Sequence, residues 1–296
     1  MSNNSENYNY LSATASKLLP WAGHIINRKG PITLTIFPTN KCNLNCEFCS
    51  NHKRDKSKEL SLSQIDQVCR SFHSLQSIEL SGGGDPCCYS NINDLIMLLR
   101  HYNLGIITNG YNIHNISPIH ITRLSWLRIS VNGLIDHGKE IDWDYIFANR
   151  KHVGISYILH EKSPIDYQER LNVLRMYSGI DYCKVCVDSR KIGQIDKITK
   201  MSEDGWMYKV ERAWTQPPEV CYQHAIKPVL TAEGFLMPCS AIELSKGQYE
   251  KEDRVSIKDC QTYIPYHCKS PYCPHKERNT YLEQILNYPD KYWFFV

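Results

Sequence analysis

The stretch Cys42-Asn43-Leu44-Asn45-Cys46-Glu47-Phe48-Cys49 places three thiols within eight residues at C-x3-C-x2-C spacing, directly after the apolar run Ile32 to Phe37. A loop this short folds three thiolates around one centre and offers no fourth. Thiolates are the usual ligands of iron–sulfur clusters, so three of them point to a [4Fe–4S] cluster with one iron left open. An open coordination position separates a working metal site from a closed structural one. The spacing departs from the C-x2-C-x2-C run of bacterial ferredoxins. A zinc site would want two separated pairs and leave Cys42 redundant.

With the aromatic Phe48 just before the last cysteine, the motif resembles that of the radical S-adenosylmethionine (radical SAM) superfamily. The resemblance implies that the open iron chelates the amino and carboxylate groups of S-adenosylmethionine (SAM), with Phe48 beside the cofactor. One electron then cleaves SAM to methionine and a 5′-deoxyadenosyl radical. A second motif agrees. The run Ser77–Leu80 reads as a strand ending in Ser81-Gly82-Gly83-Gly84-Asp85-Pro86, and glycines there let backbone approach a ligand closely. Pro86 rules out a dinucleotide fingerprint, which must open a helix. The turn resembles the Gly-Gly-Glu motif that holds the methionine amino group of SAM, here through Gly82, Gly83, Gly84 and Asp85. Asp85 stands where Glu is usual, which puts the carboxylate contact in question and leaves the backbone contacts.

The bounds fit such an enzyme. With 42% hydrophobic, 11% aromatic and 22% charged residues, the 296-residue chain has the material for a core. A net charge of +3, from 34 basic and 31 acidic residues, gives no strong electrostatic case for nucleic acid. No apolar run reaches the ~18 residues of a membrane helix, and the Asn-rich Met1 to Tyr10 lacks the regions of a signal peptide. Thirteen cysteines in an unexported chain point to metal or reactive thiols and a reducing, cytoplasmic compartment.

Along the chain, an amphipathic helix over Ala13–Asn27, interrupted at Pro20, is expected to cover one end of the sheet. The basic run Lys53, Arg54, Lys56, Lys58 reads as a solvated loop, with a substrate-facing patch as the sharper alternative. Ser61-x-x-Gln64 is a capping box for a helix that buries Cys69. Cys87 and Cys88 read as buried thiols at a helix start, or as hydrogen-atom donors beside the cofactor. Strands at Leu104–Thr108, Trp126–Val131, His152–Leu159 and Tyr182–Val187, separated by helical stretches such as Ile92–Leu99 and Asp166–Tyr177, give βαβ units and a parallel sheet. Two of these strands stop at turn signals, Asn109-Gly110 and Asn132-Gly133. Ligands bind such sheets at the carboxyl ends of strands, so Asn109, Ser130 and Asn132 are polar groups at the right end. The family resemblance carries them to the ribose and carboxylate of SAM, and six βα units to a partial (βα)6 TIM-like barrel of α/β class. Cys183 and Cys186 fall on opposite faces of their strand, so Cys186 enters the lumen if it points inward.

Past about Asp204 the alternation ends and prolines crowd between Pro217 and Pro274, among Cys221, Cys239, Cys260, Cys268 and Cys273. Pro228 to Cys239 reads as a hairpin turning at Glu233-Gly234. The form C-x12-G-x4-C, Cys221 to Gly234 to Cys239, resembles the opening of the SPASM and twitch extensions of radical SAM enzymes. That implies a small cysteine-rich C-terminal domain holding one auxiliary [4Fe–4S] cluster on Cys221, Cys239, Cys268 and Cys273, with Cys260 in reserve. Zinc is the alternative, since His267 and His275 stand beside Cys268 and Cys273. The expected organisation is a tail and covering helix over 1–30, a barrel over 31–204 and the auxiliary domain over 205–296. A final helix, Thr280–Asn287, and Trp293-Phe294-Phe295 dock on the barrel.

The function expected is abstraction of a substrate hydrogen atom by the 5′-deoxyadenosyl radical, most of all in modifying a ribosomally made peptide. Modification of a nucleotide, nucleic acid or sugar is the alternative, and a non-catalytic metal-binding or electron-transfer protein the third reading. Partners are a substrate peptide or small molecule and a reductant such as flavodoxin or ferredoxin. No general base or hydrogen donor is singled out by sequence.

Overall fold

A computed structural model describes residues 21–51, 53–188, 206–210, 216–242 and 250–287. The tail 1–10, the Leu18–Leu19 half of the expected first helix, the 204/205 boundary and Trp293-Phe294-Phe295 lie outside the described residues.

Each parallel strand needs a crossover, and the chain supplies one after another. In order come α1 (Ala22–Ile26), β1 (Thr33–Ile36), α2 (Leu62–Ser71), β2 (Ser77–Leu80), α3 (Ile92–Leu98) and β3 (Asn103–Thr108). Then follow α4 (Pro118–Ile121), β4 (Trp126–Ser130), α5 (Asn132–His137), α6 (Trp143–Asn149), β5 (Val153–Leu159), α7 (Tyr167–Leu174) and β6 (Ile180–Val187). The described residues of the remainder give β7 (Met207–Val210), β8 (Val229–Leu230), β9 (Leu236–Met237), α8 (Ile257–Thr262) and α9 (Lys276–Asn287). The strand order is β7-β6-β5-β4-β3-β2-β1-β8-β9. All pairs are parallel except β8 with β9. From β1 to β6 the strands follow in chain order, and right-handed crossovers that never reverse put the intervening helices on one face, the arrangement of a barrel wall.

Alternation then separates two environments. Leu34, Ile36, Ile78, Leu80, Leu104, Ile106, Leu127, Ile129, Ile155 and Tyr157 join Ile65, Leu95, Ile96, Ile135, Ile146 and Leu171 of the helices in one buried core. The opposite, lumen face carries Thr33, Thr35, Ser77, Glu79, Arg128, Ser130, Ser156, Tyr182 and Lys184, aligned by register. Cys183 belongs to the core, and Cys186, paired with Ile158, to the lumen face.

Several elements differ from the sequence reading. The sheet runs past residue 204, because β7 pairs with β6. The C-terminal hairpin continues the same sheet at its other edge, because β8 pairs with β1. The described first helix is five residues long. It packs through Ile25 not on the sheet but on Ala225, Tyr263 and the Leu282 and Ile285 of α9, which offer the apolar face so short a helix needs. Asn132-Gly133 opens a helix instead of closing a turn. The capping box at Ser61 and Gln64 forms as expected, and Cys69 is buried.

Candidate functional site

The cysteine loop leaves the carboxyl end of β1. Burial pushes the Cys42 thiol up to about 11 and the Cys46 thiol to about 12, with the neighbouring Cys49 adding to both. Two backbone N–H groups already point at sulfur, Leu44 at Cys42 (3.4 Å) and Asn51 at Cys49 (3.3 Å). Donors of this kind favour thiolate, so a cationic centre that takes the protons' place would find the loop prepared. The donor set is all sulfur, half-buried, and three in number; it fits an iron–sulfur cluster with one open iron.

The glycine turn after β2 is zipped to the start of this loop. Gly84 N–H donates to Thr39 O (2.7 Å) and Asp85 N–H to Lys41 O (2.8 Å). Gly82 and Gly83 take φ of +65° and +66°, where a side chain is strained. A Cβ at Gly84 would collide with the Lys41 carbonyl and the Asn40 backbone. The Asp85 carboxylate does not point out of the turn. It is buried and accepts from Cys87 N–H (2.9 Å), Thr108 Oγ1 (2.8 Å) and Asn109 N–H (2.6 Å). It thus ties the β2 exit to the β3 exit, and burial raises its pKa against the pull of those donors. With one methylene less than Glu, its role is positional.

Cys42, Cys46, Phe48, Gly82, Gly84, Asp85, Asn109, Ser130 and Asn132 line one cleft at the carboxyl ends of β1 to β4, with Gly83 and Cys49 outside its lining. Asn109 reaches the cysteine loop itself, donating through Nδ2 to Asn43 Oδ1 (2.7 Å). Asn132 is held by the β5 exit: its Oδ1 accepts from Ile158 N–H (2.8 Å) and its Nδ2 donates to Ile158 O (2.9 Å) and Asp136 Oδ2 (3.0 Å). Asp136 also accepts from Tyr157 O–H (2.6 Å) and bonds His160 Nε2 (2.9 Å). The His160 ring lies 5.1 Å from the Phe48 ring. A buried network therefore fixes Phe48 against the wall that carries Asn132.

Residues 36–178, which hold this whole constellation, match the model of the Radical SAM superfamily. Over that stretch the chain is similar to the radical SAM domain. Similar solved structures include Streptococcus suis SuiB bound to its precursor peptide SuiA, 16% identical, covering 88% of this chain and 71% of that one at a TM-score of 0.58. The same protein bound to S-adenosylmethionine covers 91% and 73% at 16% identity and a TM-score of 0.55. At that identity the likeness shows the fold alone, a partial barrel. No curated protein matches the chain. The likeness over residues 36–178 implies a [4Fe–4S] cluster and SAM as cofactors.

Beyond residue 178 lie the cysteines assigned by sequence to an auxiliary site. Cys221 is raised by burial and then by Cys239, Cys268 and Cys273. Cys239 is pushed up to about 12 by burial, with Cys268 and Cys273 adding, and Cys273 feels Cys268. Cys221 pairs with Tyr266 through reciprocal backbone bonds of 2.9 and 3.0 Å, which sets the two segments side by side. Cys260 faces the sheet core instead. His267 bonds the carbonyl of Glu219 (3.1 Å) through Nδ1. Among the described residues no three His, Cys, Asp or Glu side chains are gathered as a single-ion site.

Cys87 is wholly buried, and the Cys88 sulfur accepts from Asn112 Nδ2 (3.2 Å). In the basic run, Arg54 lies over the Phe37 ring at 5.2 Å and Lys58 pairs with Asp55 at 3.7 Å, so these two charges stitch the loop rather than face a partner. Sequence reasoning missed Leu44, Ser81, Ile107, Thr108 and Gly133 in the cleft lining, and the Tyr157–Asp136–His160 network. Position at a strand's carboxyl end was the available signal for Ser81, Thr108 and His160; nothing local marks Asp136. No helix among the described residues is long and apolar enough to cross a membrane.

Proposed function

We propose that this chain is a radical SAM enzyme that modifies a ribosomally made peptide. Cys42, Cys46 and Cys49 would hold the catalytic cluster. Phe48, the backbone of Gly82, Gly83 and Gly84, and Asn109, Ser130 and Asn132 would hold SAM. When bound, cluster and cofactor supply a 5′-deoxyadenosyl radical on one-electron reduction. The chain's own part is to fix geometry and exclude water around that radical. Asp85 locks the glycine turn to Asn109, and Asp136 locks Asn132 and His160 behind Phe48. Cys221, Cys239, Cys268 and Cys273 would hold an auxiliary four-iron cluster on a region starting beyond β7. Cys260 packs in the sheet core and stays in reserve.

The observation that carries the peptide reading is the shared fold over 88% of this chain with SuiB, whose structure holds a precursor peptide. Reducing equivalents would come from a flavodoxin or ferredoxin. The test is anaerobic reconstitution with iron and zinc counted per chain, followed by reduction with SAM and candidate precursor peptides. About eight irons, from two four-iron clusters, with 5′-deoxyadenosine and a mass change in peptide, is the expected result. About four irons and one zinc would reduce the tail to a structural site. Deoxyadenosine whose yield responds to nucleotides or sugars and not to peptides would overturn the peptide assignment.

A further inference from the structure

We infer that Arg128 anchors a carboxylate-binding site in the barrel lumen, one pleat beneath the cleft, and that the substrate brings the carboxylate. Only the nature of the molecule bearing that group rests on the peptide reading above.

Arg128 sits on the lumen face of β4, in register with Ile107 of β3 on one side and Gly154 of β5 on the other. Ile107 lines the cleft, as does Ser130 two residues further along β4. Two residues of strand span about 6.6 Å, so Arg128 faces the space just below the cofactor wall. The surroundings are built. A side chain at Gly105 would run into the ring of Trp126, and one at Gly154 into the ring of Tyr182. Two glycines thus let two aromatic rings lie across the lumen either side of Arg128, whose guanidinium carbon is 5.8 Å from the Trp126 ring centre.

What the site lacks is an anion. Within the strands the lumen-facing acid is Glu79, already held by Lys227 at 3.1 Å. No described residue forms a hydrogen bond or ion pair with Arg128, and its Nε is sealed from solvent with no acceptor. A guanidinium cannot shed its proton, and leaving a cation half out of water without a counter-ion is costly. A planar fork of N–H donors matches a carboxylate in two parallel bonds. A phosphate dianion would call for several cations or free backbone N–H groups, and here the neighbouring backbone is engaged in the sheet. The ligand class is therefore a single carboxylate: an acidic side chain or a chain terminus of the substrate, or else the carboxylate of SAM.

The probes are N-acetyl-glutamate N-methylamide and its neutral twin, N-acetyl-glutamine N-methylamide, titrated by ligand-observed NMR into cluster-loaded, SAM-bound protein. The expected result is at least a tenfold preference for the glutamate probe, lost in Arg128→Met and partly kept in Arg128→Lys, with SAM affinity within twofold of wild type in both. Arg128→Lys keeps the charge, so it serves if the Met variant does not fold. No preference in wild type, or a preference that survives Arg128→Met, overturns the site. A tenfold loss of SAM affinity in Arg128→Met with no change in probe preference gives Arg128 to the cofactor and overturns the substrate assignment. Peptide turnover without a glutamate preference would sink the Arg128 site alone, whereas an Arg128-dependent preference without peptide turnover would sink the peptide reading alone.

Discussion

Replacing Gly84 by alanine tests whether the glycine turn and the cysteine loop are one mechanical unit. The residue has ordinary φ, so alanine meets no backbone strain; the obstacle is the Lys41 carbonyl and the Asn40 backbone, which stand where the Cβ must go. Backbone cannot step aside as a side-chain tip does. Relief requires the two segments to part, and the bonds that join them, Gly84 N–H to Thr39 O at 2.7 Å and Asp85 N–H to Lys41 O at 2.8 Å, break first. Two such bonds contribute about 0.5–1.5 kcal/mol each, and overpacking costs about 1–3 kcal/mol. The sum is about 2–6 kcal/mol, equivalent at about 2–4 °C per kcal/mol to a fall in Tm of at least ~4 °C. Because the Lys41 carbonyl directly precedes Cys42, iron per chain after reconstitution falls too. The assays are urea unfolding and iron counting against Gly23→Ala. An unfolding free energy within 1 kcal/mol of wild type and full iron loading would refute the coupling.

Gly23→Ala itself, in an exposed helical position with nothing near its Cβ, is expected to stabilise by up to about 1 kcal/mol in the same urea experiment. His224 is fully buried, and burial lowers its pKa to about 4. Between that value and its ordinary 6.5 the unfolded chain binds the proton and the folded chain does not, so stability falls as pH falls. The loss from pH 7 to pH 5 is about 2 kcal/mol; a His224→Phe variant with the same pH slope as wild type would disprove this. Cys260→Ser should leave the iron count unchanged, whereas Cys221→Ser should remove about four irons with the N-terminal cluster intact. Equal iron loss in both would overturn the proposed ligand set. Tyr157→Phe deletes the hydroxyl bonded to Asp136 at 2.6 Å and should cost about 1–3 kcal/mol, measured by thermal unfolding; an unchanged Tm would argue against a network that carries load.

Much of this molecule is visible in local chemistry. The cysteine spacing, the Ser61–Gln64 capping box and the Ser77–Leu80 strand depend on residues a few positions apart, and each appears where its pattern puts it. Asn132-Gly133 misled because a turn signal is a statement about isolated backbone. In the fold the Asn132 amide takes both polar groups of Ile158, a strand away, and the helix begins there instead. Asp85 misled in the same way: the missing methylene is legible, but the three donors that claim its carboxylate come from elements 2 to 24 residues on.

The sequence by itself determined the three-thiol loop, the glycine turn and the repeated βα rhythm, because spacing, propensity and period are properties of neighbours. Only the tertiary structure decided that Cys260 packs in the sheet core. It also decided that the last hairpin extends the first strand's edge, that His160 and Asp136 stand behind Phe48, and that Arg128 faces the lumen without a counter-ion among the described residues. Those facts depend on register and on contacts between distant segments, which burial of the shared core selects and no local pattern encodes.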